Sequence, residues 1–173
     1  MLLKLARASG LQLMRAKITK IISGGQTGVD RAALDAAMAM GVVHGGWCPR
    51  GRTAEDGLIG PRYRLKETES PGYRQRTRLN VLESSATLLL NEGPLSGGTA
   101  LTLEFARRFG KPHIVIQLDE ERLGDALSSV VQWLGERETE VLNVAGPGER
   151  KRPGIHGRAL AFLVAVLESC LRS

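Results

Sequence analysis

The feature that most constrains the fold is a glycine-rich turn between a short β-branched run and an apolar run with helical spacing. Residues 18–22 form the first run, glycines open the turn, and residues 33–41 repeat apolar positions at helical intervals. This order predicts a strand, a turn and a helix. Glycines free the turn to aim its N–H groups outward, and a helix N-terminus favours an anion. The sequence therefore predicts a phosphate-binding turn, made of Ser23, Gly24, Gly25, Gln26, Thr27 and Gly28.

The first turn of that helix carries two charged residues, Asp30 and Arg31, which admit two interpretations. They contact the ligand, or they cap the helix and pair with Asp35. The glycine turn differs from the dinucleotide fingerprint G-x-G-x-x-G and lacks the lysine of a P-loop, so alone it is as typical of a structural connection as of a ligand site. A β-branched side chain at Gly25 is predicted to intrude on the phosphate.

The rest of the chain alternates predicted strands and helices. The apolar run 86–91 is typical of a strand buried on both faces of a parallel sheet, and a second glycine turn then precedes a helix at 100–109. This alternation predicts an α/β protein with a single-domain, Rossmann-like, three-layer αβα fold and a mostly parallel sheet. Further strands are expected at 42–44, 113–118 and 140–144, and further helices at 73–84, 123–134 and 160–171.

The predicted sheet also indicates where a ligand would bind. Open α/β sheets bind ligands beyond the carboxyl ends of the strands, at the point where the strand order reverses. We expect the first strand and the strand 86–91 to be neighbours there. The turn 23–28 and the turn that contains Gly97, Gly98 and Thr99 would then hold one phosphate between two helix N-termini.

The segment 47–78 is predicted to form a lid that is more mobile than the sheet in the absence of ligand. Its first part has too many glycines for a helix and too many charges for a core strand, so we expect a long functional loop, followed by an edge strand at 62–68. The segment is rich in arginine, whose planar fork grips oxyanions. Arg50, Arg52 and Arg76 are predicted to line an anion-binding pocket.

Composition narrows the classes of partner. The net charge of +6 is unevenly distributed, and an aromatic content of 4% provides no stacking platform among the arginines, so no nucleic-acid partner is predicted. The two cysteines and three histidines lack zinc-ligand spacing, so we expect no metal site built from side chains. No run approaches the ~18 apolar residues of a membrane span, which predicts a cytoplasmic protein without a membrane partner.

The chain of 173 residues suffices for one well-buried core. Residues 1–17 are predicted to be an N-terminal arm, disordered or helical, and residues 18–173 a Rossmann-like ligand-binding domain. The closing helix 160–171 carries apolar residues on more than one side. This pattern predicts burial by the sheet and by a second subunit, and hence a homo-oligomer.

Five blocks of sequence carry a resemblance to a known family. The blocks are SGGQTGVDRAALD at 23–35, GWCPRGRTAEDG at 46–57, RTRLNV at 76–81, GGTALT at 97–102 and NVAGP at 143–147. On these blocks the chain resembles the molybdenum cofactor carrier proteins, relatives of the lysine-decarboxylase-like LOG enzymes within the nucleotide-binding SLOG group. The family's last turn usually reads Gly-Pro-Arg-x-Ser, whereas Gly148 and Arg150 stand at the arginine and serine positions here, which leaves the contacts of this turn open.

The resemblance implies a protein that carries the molybdenum cofactor, a pterin that bears a terminal phosphate and a dithiolene-bound metal. Because this metal belongs to the ligand, the protein needs no metal motif of its own. One alternative is a phosphoribohydrolase like the LOG enzymes, acting on a nucleoside 5'-monophosphate, with Glu104 and Arg78 as candidate catalytic residues. Another is a nucleotide-sensing SLOG module that binds a nucleotide or other phosphate without turnover. We adopt a non-catalytic binding protein as the working hypothesis.

Overall fold

The computed structural model describes residues 16–119 and 122–172. Within these residues the chain forms five helices and nine strands. The helices are α1 (Val29–Ala39), α2 (Tyr73–Glu83), α3 (Gly97–Arg108), α4 (Leu123–Glu136) and α5 (Ile155–Leu171). The strands are β1 (Lys20–Ile22), β2 (Val43–Gly45), β3 (Trp47–Cys48), β4 (Thr53–Ala54), β5 (Gly57–Leu58), β6 (Lys66–Glu67), β7 (Ala86–Asn91), β8 (His113–Gln117) and β9 (Val141–Ala145).

Five of the strands form a central parallel sheet in the order β2-β1-β9-β7-β8. Ile21 of β1 lies opposite Leu142 of β9, and Leu88 of β7 lies opposite Val144 of β9. Helices cover both faces, so the predicted α/β class and the Rossmann-like three-layer architecture are confirmed. The strand predicted at 86–91 is confirmed in its bounds as β7. Every residue of β7 is buried, as its unbroken apolar run requires.

The strand order corrects one prediction about the site. We expected β1 and β7 to be neighbours, and this is wrong, because β9 lies between them and pairs with both. Counted from β9, the order becomes 3-2-1-4-5, the order of the first five of the six strands of a Rossmann sheet. The last strand in the chain thus takes the central place that the first strand usually occupies. The order of the sheet reverses between β9 and β7.

The two helical layers have separate cores. Helices α1, α4 and α5 pack on one face, where the largest apolar cluster includes Val29, Leu134 and Leu163. Helices α2 and α3 pack together on the other face around Val81 and Phe105. The helix that follows β9 and the helix that follows β7 therefore cover opposite faces. This divergence leaves a crevice at the carboxyl ends of the two strands.

The segment between β2 and α2 folds against α1 rather than joining the central sheet. Its buried residues Cys48, Ile59 and Tyr63 form a small apolar cluster with Leu34 of α1. The edge strand predicted at 62–68 is wrong, since only Lys66–Glu67 is extended and it pairs with β3. The physical reason is that the carbonyls of this stretch bind a side chain, as described below, instead of a neighbouring strand.

Two element boundaries lie earlier than the sequence predicted. Helix α3 begins at Gly97, so the glycines of the second turn belong to the first helical turn. Helix α5 begins at Ile155. Most of the predicted N-terminal arm, residues 1–15, lies outside the described residues. None of the described helices is long and apolar enough to cross a membrane.

Candidate functional site

A crevice of about 340 Å³ opens at the carboxyl ends of β1, β9 and β7, where the strand order reverses. Five segments contribute to it: the turn after β1, the turn after β9, the N-terminus of α3, one face of α2 and the loop between β4 and β5. This volume falls in the range of small-molecule sites. The lining residues are Gln26, Asp30, Glu55, Tyr73, Arg76, Thr77, Ser96, Gly97, Gly98, Thr99, Leu101, Thr102, Ala145, Gly146, Pro147, Gly148 and Lys151.

A buried ion pair joins the walls of the crevice. Arg76 Nη1 donates to Asp30 Oδ2 at 2.8 Å, and the Asp30 side chain is only 3% exposed. Burial raises the pKa of Asp30, although Arg76 and the backbone groups of Gln26 and Gly146 oppose the rise by hydrogen bonding to the carboxylate. Asp30 thereby ties the turn after β1, the turn after β9 and helix α2 to one another. The contacts of Asp30 with the protein make it a positioning residue.

The N-terminus of α3 presents free hydrogen-bonding groups to the crevice. The N-cap residue Ser96 makes no side-chain bond to its own helix. Thr99 is buried and lines the crevice, and its hydroxyl has no hydrogen-bond partner among the described residues. The first N–H groups of a helix lack partners within the helix, so this end of α3 can accept an anion.

The turn after β1 is closed by a small polar network around Glu55. The Gln26 side-chain oxygen accepts the N–H groups of Thr27 at 3.0 Å and of Glu55 at 2.9 Å. The Thr27 hydroxyl donates to the Glu55 carboxylate, which also accepts the N–H of Arg150 at 3.0 Å. Gly28 has φ 76°, and a Cβ there would overlap the carbonyl oxygen of Pro147. Glycine is required because the turns after β1 and β9 approach so closely.

Glu55 also lines a second pocket, of about 450 Å³, between the N-terminal ends of α1 and α5. There His156 Nε2 lies 2.8 Å from Asp35 Oδ2, and the Tyr63 hydroxyl donates to Asp35 Oδ1 at 2.9 Å. Asp35 thus links α1 to α5 and to the lid segment. The lining residues are Thr27, Gly28, Arg31, Asp35, Glu55, Asp56, Tyr63, Glu149, Arg150 and His156.

Arg31 lies in this second pocket and is bound within the protein. Its guanidinium donates to Asp56 at 2.6 and 3.1 Å and to the Gly25 carbonyl at 3.1 Å. The hydrogen bonds from Arg31 lower the pKa of Asp56. We expected Asp35 as a possible partner of Arg31, but Arg31 pairs with Asp56. Asp35 instead accepts a hydrogen bond from Arg62 at 2.8 Å.

The predicted ligand-binding residues fall into three groups. In the crevice the structure brings together Gln26, Asp30, Arg76, Gly97, Gly98 and Thr99. In the second pocket it places Thr27, Gly28 and Arg31. The lining of neither pocket includes Ser23, Gly24, Gly25, Arg50 or Arg52.

Arg52 and Gly25 have structural surroundings that explain their positions. The Arg52 guanidinium donates to the carbonyls of residues 59, 60, 63 and 65 at 2.9 to 3.2 Å, so it holds the lid segment together. A Cβ at Gly25 would lie 2.5 Å from Leu65 Cδ1 and 3.0 Å from Ile59 Cδ1. The expectation that a side chain at Gly25 would point at the ligand is therefore wrong, because it would point into the lid. Arg50 is exposed.

The two candidate catalytic residues lie away from both pockets. Glu104 is exposed on α3, and Arg78 is exposed on α2, where its guanidinium lies 5.7 Å from the ring centre of Phe109. Neither residue lines the crevice. Within the described residues, no group of three or more His, Cys, Asp or Glu side chains is placed to hold a metal ion.

Sequence reasoning missed several residues that line the crevice, among them Lys151, Glu55 and Tyr73. Lys151 belongs to the run of basic residues that follows β9, and that run gave a usable signal once β9 was recognised as the central strand. Glu55 lies in one of the five resemblance blocks. Tyr73 lies at the start of α2 and gave no signal of its own.

Comparisons with known proteins agree with this architecture. The model of the circularly permutated YpsA SLOG family matches residues 21–167. A crystal structure described as "Putative molybdenum carrier protein" from Syntrophus aciditrophicus SB is 43% identical to the chain, with a TM-score of 0.84, and the match covers 91% of this chain and 98% of that one. A comparison with curated proteins returns no match.

Proposed function

The chain belongs to the circularly permutated YpsA SLOG family, and from this premise we propose that it binds and carries a phosphate-bearing small molecule, specifically the molybdenum cofactor. The observation that carries the proposal is the crevice between β9 and β7. It lies at the point of strand reversal and is lined by the N-terminus of α3 and by Thr99, whose hydroxyl makes no hydrogen bond within the described residues. A site of this kind suits an anion approached by backbone N–H groups.

The chemistry of the crevice fits the phosphate of this cofactor. A helix N-terminus, a hydroxyl and the Lys151 ammonium provide donors and a positive charge, which is what a terminal phosphate requires. The cofactor's own dithiolene sulfurs hold its metal, so the protein would contribute hydrogen bonds to the pterin and to the metal-bound oxygens rather than metal ligands. The name of the related structure supports the same ligand.

Purification of the protein from its natural host under anaerobic conditions tests this proposal. We expect the protein to retain molybdenum and a pterin, measured by elemental analysis and by the fluorescence of the oxidised pterin. Calorimetric titration of the ligand-free protein with molybdenum cofactor should give a saturable isotherm. A folded protein that neither retains a pterin nor binds the cofactor would contradict the carrier role.

The same experiment separates the two alternatives. The ligand-free protein is also titrated with AMP and with ADP-ribose, and the release of free base is followed by chromatography. Release of base that is lost in Glu104→Gln would favour a hydrolase, even though Glu104 lies outside the crevice in this structure. Tight binding of a nucleotide without release of base, and without cofactor binding, would favour a sensing module.

We also propose that the protein forms a homo-oligomer through the outer face of α5. Leu171 is 40% exposed and Ala161 is exposed, so apolar side chains of α5 lie uncovered by the other described residues. Sedimentation equilibrium of the wild type and of Ala161→Glu tests this. A monomer at all concentrations in the wild type would contradict it.

A further inference from the structure

The turn that follows β9 carries three consecutive basic residues, and they have different surroundings. Arg150 lines the second pocket, and Arg152 Nε donates to the carbonyl of Glu92 at 2.9 Å. Only Lys151 of the three lines the crevice. The turn therefore delivers a single cation to the candidate ligand site.

Lys151 lies directly over the N-terminus of α3. Its ammonium donates to the hydroxyl of Ser96, the N-cap residue, and lies 3.7 Å from the position that a Cβ at Gly97 would occupy. Because the Ser96 hydroxyl faces Lys151, it does not cap the helix. The positive charge of a side chain, the positive end of a helix and unused N–H donors thus meet at one point.

Two further observations indicate that this point receives a ligand. The Thr99 hydroxyl faces the crevice without a partner among the described residues, although the residue is only 3% exposed. Within the same part of the chain, Lys151 forms no ion pair, whereas Arg76 on the opposite wall is paired with Asp30. The two charges of that ion pair offset each other. The Glu55 carboxylate also lines the crevice, where it accepts the Thr27 hydroxyl and the N–H of Arg150. Among the described lining residues, Lys151 is therefore the cation that no carboxylate pairs.

We propose that Lys151 determines the specificity of the crevice for a doubly charged terminal phosphate, in preference to a phosphodiester or an uncharged ligand. The inference rests on the proposed function in taking the crevice as the ligand site. Lysine acts as a point charge, so its contribution grows with the charge of the ligand. A terminal phosphate also leaves three oxygens for the ammonium, the Thr99 hydroxyl and the N–H groups of α3.

The test uses inorganic phosphate as the probe, followed through the backbone amide resonances of Gly97, Gly98 and Thr99. We expect saturable shifts in the wild type, and at least ~10-fold weaker binding in Lys151→Met, the range expected for a hydrogen bond to a charged group. Arg150→Met is the matched control, because it removes the same charge from the adjacent position in the other pocket. It should bind within about 2-fold of the wild type, since the exposed charge is screened. In the wild type, dimethyl phosphate, a monoanion, should bind more weakly than phosphate. In Lys151→Met this difference in affinity should disappear.

Three results would overturn the inference. The first is the absence of saturable shifts at these amides in the wild type, and the second is a folded Lys151→Met protein that binds phosphate as tightly as the wild type. The third is an equal loss in Arg150→Met, which would indicate a general effect of net charge. A different result would contradict the carrier role, namely the absence of a bound pterin in the purified protein. The phosphate titration can be interpreted whether or not a pterin is found.

Discussion

Gly24 is a glycine because the guanidinium of Arg76 lies where its side chain would be. A Cβ at this position would overlap Arg76 Nη1, the atom that reaches Asp30. The absence of one methyl group therefore permits an ion pair, and the ion pair fixes the relative positions of three walls of the crevice. At the residue scale, the candidate site depends on this buried charge as much as on the groups that face a ligand.

Removal of Arg76 tests the energetic importance of the pair. Arg76→Met leaves a buried carboxylate without its counter-charge, and we expect a loss of about 3 kcal/mol in the free energy of unfolding at neutral pH. Burial already raises the pKa of Asp30 above its ordinary value of 3.8, and the folded state therefore binds the proton more tightly than the unfolded state. The cost of the buried charge is fully present above the raised pKa and disappears below 3.8. Urea unfolding between pH 7 and pH 4 should show the deficit shrinking as the pH falls.

The double variant Asp30→Asn, Arg76→Met serves as the control, because it removes both charges. It should be more stable than Arg76→Met at neutral pH, and its difference from the wild type should vary less with pH. A deficit in Arg76→Met that is constant across this pH range would mean that the lost packing of the side chain, not the unpaired charge, is the cause.

Gly98 allows a test of the anion site with little strain. A Cβ there meets no atom within 4 Å, and the residue lies in the first turn of α3. In Gly98→Asp the added carboxylate would occupy the helix N-terminus, so we expect a gain of about 0.3–1 kcal/mol in stability together with loss of phosphate binding. Gly98→Ala should bind phosphate like the wild type. Retained phosphate binding in Gly98→Asp, measured by the shifts of the α3 amides, would move the anion site elsewhere.

The residues around the crevice differ in how far sequence alone could place them. Gly97, Gly98 and Thr99 follow a strand and open a helix, and this local pattern suffices to locate them. The arginine-rich segment 47–78 predicts that Arg52 binds an anion, yet its guanidinium donates to backbone carbonyls. Spacing does not reveal where a guanidinium points, because that depends on contacts between residues far apart in the chain.

At the scale of elements, the lid segment is held by one side chain rather than by regular pairing. Its strands are two residues long, and the Arg52 guanidinium joins four of its carbonyls. In Arg52→Met we expect amides of residues 58–65 to exchange at least ~10-fold faster, because hydrogen bonds to a charged group contribute about 1.5–3 kcal/mol. Arg50→Met is the control, since Arg50 is exposed on the same loop. Equal exchange in both variants would show that the apolar cluster with Leu34 holds the lid without Arg52.

The same exchange experiment tests the predicted mobility of the segment 47–78. The hairpin tip at Asp56, Gly57 and Leu58 is exposed, whereas Cys48 and Ile59 are buried. We expect fast exchange at the tip in the ligand-free protein, and slower exchange when ligand is added. Protection equal to that of β7 throughout the segment would contradict a lid.

The bounds of a strand can be predicted where its residues are uniformly apolar, as in β7. They are harder to predict where hydrogen bonding to a neighbouring strand decides them. The stretch 62–68 has the composition of an edge strand, but only two of its residues pair, because its carbonyls face Arg52. Helix α3 begins three residues earlier than apolar periodicity indicates. Gly97 and Gly98 add no apolar signal, and Gly97 opens the helix at a positive φ of 56°.

At the scale of the whole molecule, the order of strands could not be read from the sequence. Periodicity identifies strands but not their neighbours, and the last strand gave no sign that it lies at the centre of the sheet. The structure places β9 between β1 and β7, and α5 lies on the same face as α1. A unit of β9, α5 and β1 would thus form one right-handed crossover if the chain were continuous between α5 and β1.

This arrangement predicts that the chain tolerates being rejoined in the other order. The proposed permutant begins at Glu138, runs to Arg172, continues through a Gly/Ser linker of ~10 residues to Ile18, and ends at Arg137. Helix α5 has 17 residues and is about 25 Å long, and it starts at the carboxyl end of β9. Its far end therefore returns to the edge of the sheet where β1 begins, because β1 and β9 are parallel. The linker has to bridge only the ~10 Å between layers, which its extended reach of about 33 Å exceeds.

We expect the permutant to fold with a free energy of unfolding within about 2 kcal/mol of residues 18–172 in their natural order, because only surface connections change. Urea unfolding measures this, and phosphate binding at the α3 amides shows whether the crevice is intact. The new ends lie at exposed residues of the turn between α4 and β9. A second permutant, opened between Leu88 and Leu89 with the same linker, is the control and should not fold, since it cuts a strand buried in the middle of the sheet. If the first permutant failed to fold while residues 18–172 in their natural order folded, the continuous connection from α4 to β9 would be needed for the fold. The placement of β9 would then not suffice to explain it.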